Sequence, residues 1–285
     1  MKHRKIITIL TIIIIIISAL SALIGLFSNK VEIYSSINTI FDESVQLHNN
    51  GIYGGNFLSM AVQSMAQDSI TLIVCIPLLL ISIFFIKKRS LKGLFLIAGT
   101  LGYFLYTYIS HAVVMINNRF YLINVILMAL SFCTFILCAM SIQSYDLSHS
   151  VIDEFPAKSL SIYFFGTGLI ICLMWLGIII TTFFFDIDQY SLESYSTMCI
   201  KTLDWGFIVL TSFLTSILLW KKSSWGYLLS VVLIIKMITY STVVNTILVS
   251  LKINGMYVSI RESIVIPTFT VLSIIFMITI LKELE

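Results

Sequence analysis

Charge is what this chain has least of. Only 11% of its 285 residues are Asp, Glu, Lys or Arg, against 59% hydrophobic residues, and the mean hydropathy is +1.03. A soluble domain of that size has no core large enough for so much apolar surface and would expose patches that aggregate. Proline is nearly missing as well, with three in the chain, which leaves long helices free to close their own backbone hydrogen bonds in lipid. The five cysteines include no C-x-x-C pair, and four of them fall in apolar runs. They read as small packing residues rather than a disulfide framework or a zinc site. A net charge of +3 without a long basic run excludes a nucleic-acid partner. No Walker motif, G-x-S-x-G elbow, dinucleotide fingerprint or H-E-x-x-H spacing occurs. The sequence therefore implies neither a metal nor a cofactor, and His48 and His111 have no ligand spacing between them.

What is present is lipid-compatible length. Eight apolar runs cover approximately 6–27, 69–86, 93–115, 120–142, 160–185, 204–220, 225–250 and 264–281, each close to the roughly 20 residues that cross a bilayer. The expectation is an all-α polytopic transmembrane helical bundle of about eight spans. It forms one integral membrane domain, 1–285, with an extracytoplasmic loop at 28–68. After MKHRK, the segment Ala19-Leu20-Ser21 has the form of a cleavage site, but the apolar run continues to Phe27, so the first helix is read as retained. Of the 17 basic residues, eleven fall on the side that holds the N-terminus, among them Lys87, Lys88, Arg89, Lys221 and Lys222. Five fall on the other side (Lys30, Arg119, Lys201, Lys252 and Arg261), and Lys236 lies in neither set. The excess of Lys and Arg marks cytoplasmic loops, so both termini are expected in the cytoplasm. The opposite side is acidic, with Glu32, Asp42, Glu43, Asp68, Asp186, Asp188, Glu193, Asp204 and Glu262.

In the 28–68 loop, Val31, Ile33, Ile37, Ile40, Phe41 and Val45 are spaced nearly as one helical face, which predicts an amphipathic helix on the membrane surface before HNNGIYGGN breaks it. Asp68 then opens the second span and is expected to cap it. Pro77 is expected to kink the same span. Tyr103, Tyr106 and Tyr108, with His111, sit near one end of the third run, where interfacial anchoring is the expected role. Small residues four apart, such as Ser21 and Gly25 or Ala98 and Gly102, predict close helix packing. No internal repeat is legible.

One charge stands where lipid is promised. Lys236 lies in VVLIIKMITYSTVVN about 16 Å below one membrane boundary, near the bilayer centre. Thr239 and Tyr240 share its helix face, while Asn245 points the opposite way. Polar groups on two sides predict a span enclosed by other helices. Asp204, at the start of the next span toward the N-terminus, is the nearest candidate counter-ion, with its backbone roughly 8 Å higher. A buried charge of this kind is either a lock on packing or a functional site.

The stretches NGIYGGNFLSMAVQSMAQDSITLIVCIPLLL, LKGLFLIAGTLGYFLYTYISHA and TLDWGFIVLTSFLTSILLWKKSSWGYLLSVVLIIKM together resemble a group of prokaryotic multi-pass membrane proteins with no established activity. The resemblance covers about half the chain, includes Asp68, Asp204 and Lys236, and implies membrane location and architecture only. The Ile- and Lys-heavy composition suits a bacterium with an AT-rich genome, hence a bacterial cytoplasmic membrane, with the lipid bilayer as a partner and a small-molecule or protein partner left open. Three functions stay open. The first is a permease-like transporter with a polar site around Lys236, Asp204, Tyr240, Asp68 and His111. The second is a membrane enzyme acting on a lipid-linked substrate through Asp68, His111, Asp204 and Glu262. The third is an accessory or sensory subunit that recognises a protein partner through the 28–68 loop.

Overall fold

The computed structural model describes residues 3–28, 34–38, 44–116, 118–143, 155–184 and 199–283. It is a helical bundle with eight helices long and apolar enough to cross a membrane, and the chain is a multi-pass membrane protein. The first span is α1 (Arg4–Phe27), and the second joins α2 (Leu58–Ile70), a wide π-helical turn (Thr71–Cys75) and α3 (Ile76–Lys87). The third to fifth are α4 (Leu91–Val113), α5 (Tyr121–Gln143) and α6 (Ala157–Phe184). The sixth joins α7 (Cys199–Leu203), a second π-helical turn (Asp204–Val209) and α8 (Leu210–Trp220). The last two are α9 (Ser224–Ile253) and α10 (Ile260–Glu283).

Two expectations for the 28–68 segment fail. Instead of a surface helix, β1 (Tyr34–Asn38) and β2 (Ser44–His48) form an antiparallel hairpin, with Tyr34 opposite His48 and Asn38 opposite Ser44. The strands contain the β-branched Ile37 and Val45 and the aromatic Tyr34, types that fit an extended chain better than a helix. Val31, Ile33, Ile40 and Phe41, like Glu32, Asp42, Glu43, Asp186, Asp188 and Glu193, lie outside the described residues. The second span also begins eleven residues before its apolar run, at Leu58. Its first turns, LSMAVQSMAQ, use good helix formers of modest hydropathy. Asp68 is therefore no cap: it sits in the third turn of α2, buried. Pro77 follows the first π-helical turn by two residues. There Ile76 N–H reaches back to Thr71 O, and the widened turn absorbs the carbonyl clash and missing donor that proline brings.

Two spans form the centre. In the third and seventh, 78% and 72% of the most apolar window is buried, against 11–39% in the other six. Glycine permits their crossing. A Cβ on Gly99 would overlap the Ile235 side chain and come within 3.0 Å of Val232 O, and one on Gly102 would touch the Lys236 stem at 3.6–3.7 Å. The outer spans turn isoleucine, leucine and phenylalanine outward, as in Ile9, Ile73, Ile162 and Ile274, where lipid is the matching solvent.

The bundle contains a repeat that the sequence conceals. Spans two and three match spans six and seven feature for feature with one numbering offset, the second-half number exceeding the first-half number by 133. The π-helical turns begin at Thr71 and Asp204, the second running one residue longer. The helices then end at Lys87 and Trp220, the next begin at Leu91 and Ser224, and their N-caps are Ser90 and Ser223. Between them, Arg89 and Lys222 both take the left-handed conformation, with φ of 62° and 53°. The turn hydrogen bonds match one for one: Arg89 to Ile86 and Lys222 to Leu219, then Ser90 to Phe85 and Ser223 to Leu218. Gly93 and Gly226 press against the backbone of the preceding helix at the same level, near Ile86 N and Leu219 N. Two spans, the fourth and fifth, lie between the two units, an even number, so both run the same way. Gly99 and Val232 are equivalent positions, and their close approach puts the crossing of the central spans at the centre of the repeat.

Candidate functional site

The two buried acids, Asp204 and Asp68, each centre a polar cluster, one on a helix of each half. The first is built on Asp204, 5% exposed at the start of the second π-helical turn. Its Oδ1 accepts from the Tyr106 hydroxyl at 2.6 Å and from Tyr240 at 3.5 Å, and its Oδ2 accepts from Trp175 Nε1 at 2.9 Å. These donors come from the third, seventh and fifth spans, so the carboxylate ties three helices to its own. Lys236 is 6% exposed and lies beside this cage. Its Nζ stands 5.3 Å from the centre of the Tyr106 ring, within cation–π range. Tyr106 therefore stands between the two charges, offering its face to the cation and its hydroxyl to the anion. No hydrogen bond or direct ion pair reaches Lys236 Nζ among the described residues. The cage closes with Tyr240 packed edge-on against Tyr106 at 5.1 Å and Lys201 Nζ 5.7 Å from the Trp175 ring.

The second cluster holds Asp68, whose Oδ2 accepts from the Tyr53 hydroxyl. A side chain at Gly25 would occupy the place of that carboxyl and stand 2.9 Å from Tyr53 Oη. The glycine predicted for close packing thus makes room for an acid. Beside it, His111 Nε2 and Gln67 Oε1 are 2.7 Å apart, which makes the imidazole the donor. Tyr103 bonds Thr71 Oγ1 at 3.2 Å, and the Tyr53 and Tyr108 rings both meet His111 edge-on. Burial foremost, and next the Asp68 carboxyl, push proton loss from Tyr53 well above its ordinary range, so this hydroxyl acts as a neutral donor. Tyr53 belongs to the Gly51–Tyr53 turn, a segment pinned from several sides. Ile52 N–H donates to Ser28 Oγ, Asn118 Nδ2 to Ile52 O, and Ile116 N–H to Asn56 Oδ1.

The structure thus brings Lys236, Asp204 and Tyr240 together and places Asp68 with His111 in the other cluster. Glu262 is exposed in the first turn of α10 and joins neither. The anchoring role expected for the tyrosines is overturned, since Tyr103, Tyr106 and Tyr108 are 1%, 5% and 3% exposed. Their helix is a central one, and its hydropathy of 1.3, the lowest of the eight spans, was the available signal. Tyr53 and Trp175 had no such signal beyond a lone aromatic in a glycine-rich turn and a lone indole in an apolar run.

The repeat sets the two clusters in register. Thr71 and Asp204 are equivalent positions, and so are Tyr103 and Lys236. The slot that the first half closes with a Thr71–Tyr103 hydrogen bond is the slot in which the second half sets an acid and a lysine. No family model matches the chain, and neither a curated protein nor a solved structure matches it.

Proposed function

We propose that the chain is a permease-like transporter in which Lys236, with Asp204 beside it, binds the anionic group of a small solute between the two halves. One observation carries the reading. The first half builds the same helix–helix slot from Thr71 and Tyr103, both neutral, so the fold does not need charge there for packing. A mid-membrane lysine costs on the order of 2.5–3.5 kcal/mol on insertion scales. A group that expensive, in a slot whose counterpart closes with neutral residues, is kept for what it binds. The donor inventory agrees. Asp204 is supplied by three neutral donors, whereas the three N–H groups of Lys236 have no hydrogen-bond partner among the described residues and suit a carboxylate or phosphate. Parallel repeats with a site at their interface near mid-membrane are a recurrent transporter plan. The location that fits is a bacterial cytoplasmic membrane with both termini inside. The enzyme reading has less support, because the acids it requires are divided between two clusters and an exposed helix end.

The test is a paired measurement on the detergent-purified protein. In the double variant Asp204→Thr, Lys236→Tyr, the second slot receives the residues of the first. Its melting temperature should stay within a few degrees of the wild type. A panel of small carboxylates and phosphates should contain a compound that raises the wild-type melting temperature and leaves the variant unmoved. A double variant that unfolds makes Lys236 a packing lock. A panel that moves neither protein removes the anion-binding reading.

A further inference from the structure

Asp68 presents a different problem from Asp204, because no cation stands near it. Its Oδ2 takes the Tyr53 hydroxyl and its Oδ1 takes no hydrogen bond among the described residues. Span one offers it Gly25, which has no side chain. The 51–53 turn offers Tyr53, and span three offers Tyr103, Tyr108 and His111, with His111 engaged by Gln67. Span seven packs on α2, but its lysine, Lys236, faces Asp204. The cage is three neutral side chains and an imidazole. An ionised carboxylate there would be a buried charge with one donor and no counter-ion, an arrangement that proteins avoid by neutralising the group.

We propose that Asp68 is a proton-binding site, carrying its proton while the Gly51–Tyr53 turn is docked and exchanging it with water when Tyr53 lifts away. The proton sits on one carboxyl oxygen, Tyr53 donates to the other, and release leaves a carboxylate and a hydrated proton with no other group oxidised or reduced. Tyr53 is 3% exposed and Asn56 is fully buried, so the docked turn closes the path from the hairpin end of the bundle. The site requires no solute and stands or falls independently of the transport reading.

Infrared spectroscopy of the full-length protein at neutral pH tests it. The wild type should show a protonated-carboxyl C=O band that shifts in D2O, disappears in Asp68→Asn and persists in Asp204→Asn. Asparagine is the neutral isostere, so Asp68→Asn should melt within a few degrees of the wild type. Tyr53→Phe, which loosens the turn and leaves the acid in place, should keep the band and speed its response to D2O several-fold. The proposal is overturned if wild type and Asp68→Asn give the same carboxyl spectrum, or if Asp68→Asn fails to fold. It is also overturned if the wild-type melting temperature rises with NaCl but not with choline chloride, which would make the occupant a metal cation.

Discussion

At the scale of single residues, the interior is governed by what a missing side chain permits. Gly25 faces the Asp68 carboxyl and Tyr53 hydroxyl so closely that a methyl group has no room. Gly25→Ala should destabilise the protein by about 1–3 kcal/mol, the range for overpacking a filled interior; a melting curve in detergent checks it, and an unchanged midpoint would mean that Asp68 does not occupy that space. Lys236→Met asks the complementary question. If the lysine is not needed for packing, its replacement by a flexible apolar chain should leave the melting temperature equal or higher, as when a costly functional group is removed. A loss corresponding to about 3–5 kcal/mol would instead be that of a carboxylate stranded by its partner. Lys236 and Asp204 were legible as candidates because charge in an apolar run is conspicuous. Tyr106 and Trp175 were not, since an aromatic residue in such a run looks the same whether it faces lipid, a ring or a carboxylate.

At the scale of elements, the apolar runs located all eight helices and misplaced their ends wherever a helix continues in polar but helix-forming residues. The second span shows why: hydropathy registers lipid contact, and LSMAVQSMAQ is helix packed against protein. The hairpin was hidden for the opposite reason, because a short segment with approximate helical spacing also alternates. The repeat had a faint signature. Lys88-Arg89-Ser90-Leu91-Lys92-Gly93 and Lys221-Lys222-Ser223-Ser224-Trp225-Gly226 share a basic pair, a serine cap and a glycine in the same places, although the helices around them share almost nothing. Backbone requirements persist where side chains diverge: a left-handed residue ends one helix, serine starts the next, and glycine lets the two approach. Gly93→Ala and Gly226→Ala should therefore cost similar amounts, about 1–3 kcal/mol each, because in both the new Cβ meets backbone atoms at 2.6–2.8 Å rather than a movable side-chain end. Parallel denaturation of the two variants checks it, and a large difference between them would separate the two turns mechanically.

At the scale of the molecule, the third and seventh spans are the inner pair and the remaining six shield them. The basic residues of the two tight turns, Lys87 to Arg89 and Lys221 to Lys222, lie at the end of the bundle where α1 begins, since Arg4 donates to Lys87 O at 3.3 Å. If that end is cytoplasmic, an impermeant thiol reagent added to intact bacterial spheroplasts should label Tyr257→Cys, an almost fully exposed position at the other end. It should leave Lys221→Cys untouched until the membrane is opened. Labelling in the reverse order would invert the topology and put the Tyr53 turn inside the cell.

The crossing at Gly99 has a consequence for how the two halves choose each other. The hollow at Gly99 receives the Ile235 side chain, and in the repeat Ile235 is the counterpart of Gly102. Two copies of the first half would set Gly99 against Gly102 and leave an unfilled gap; two copies of the second would drive Val232 into Ile235. Each half is therefore a better mate for the other than for a twin of itself, and Gly99→Val, which gives the first half the residue of the second, should lower the melting temperature in detergent.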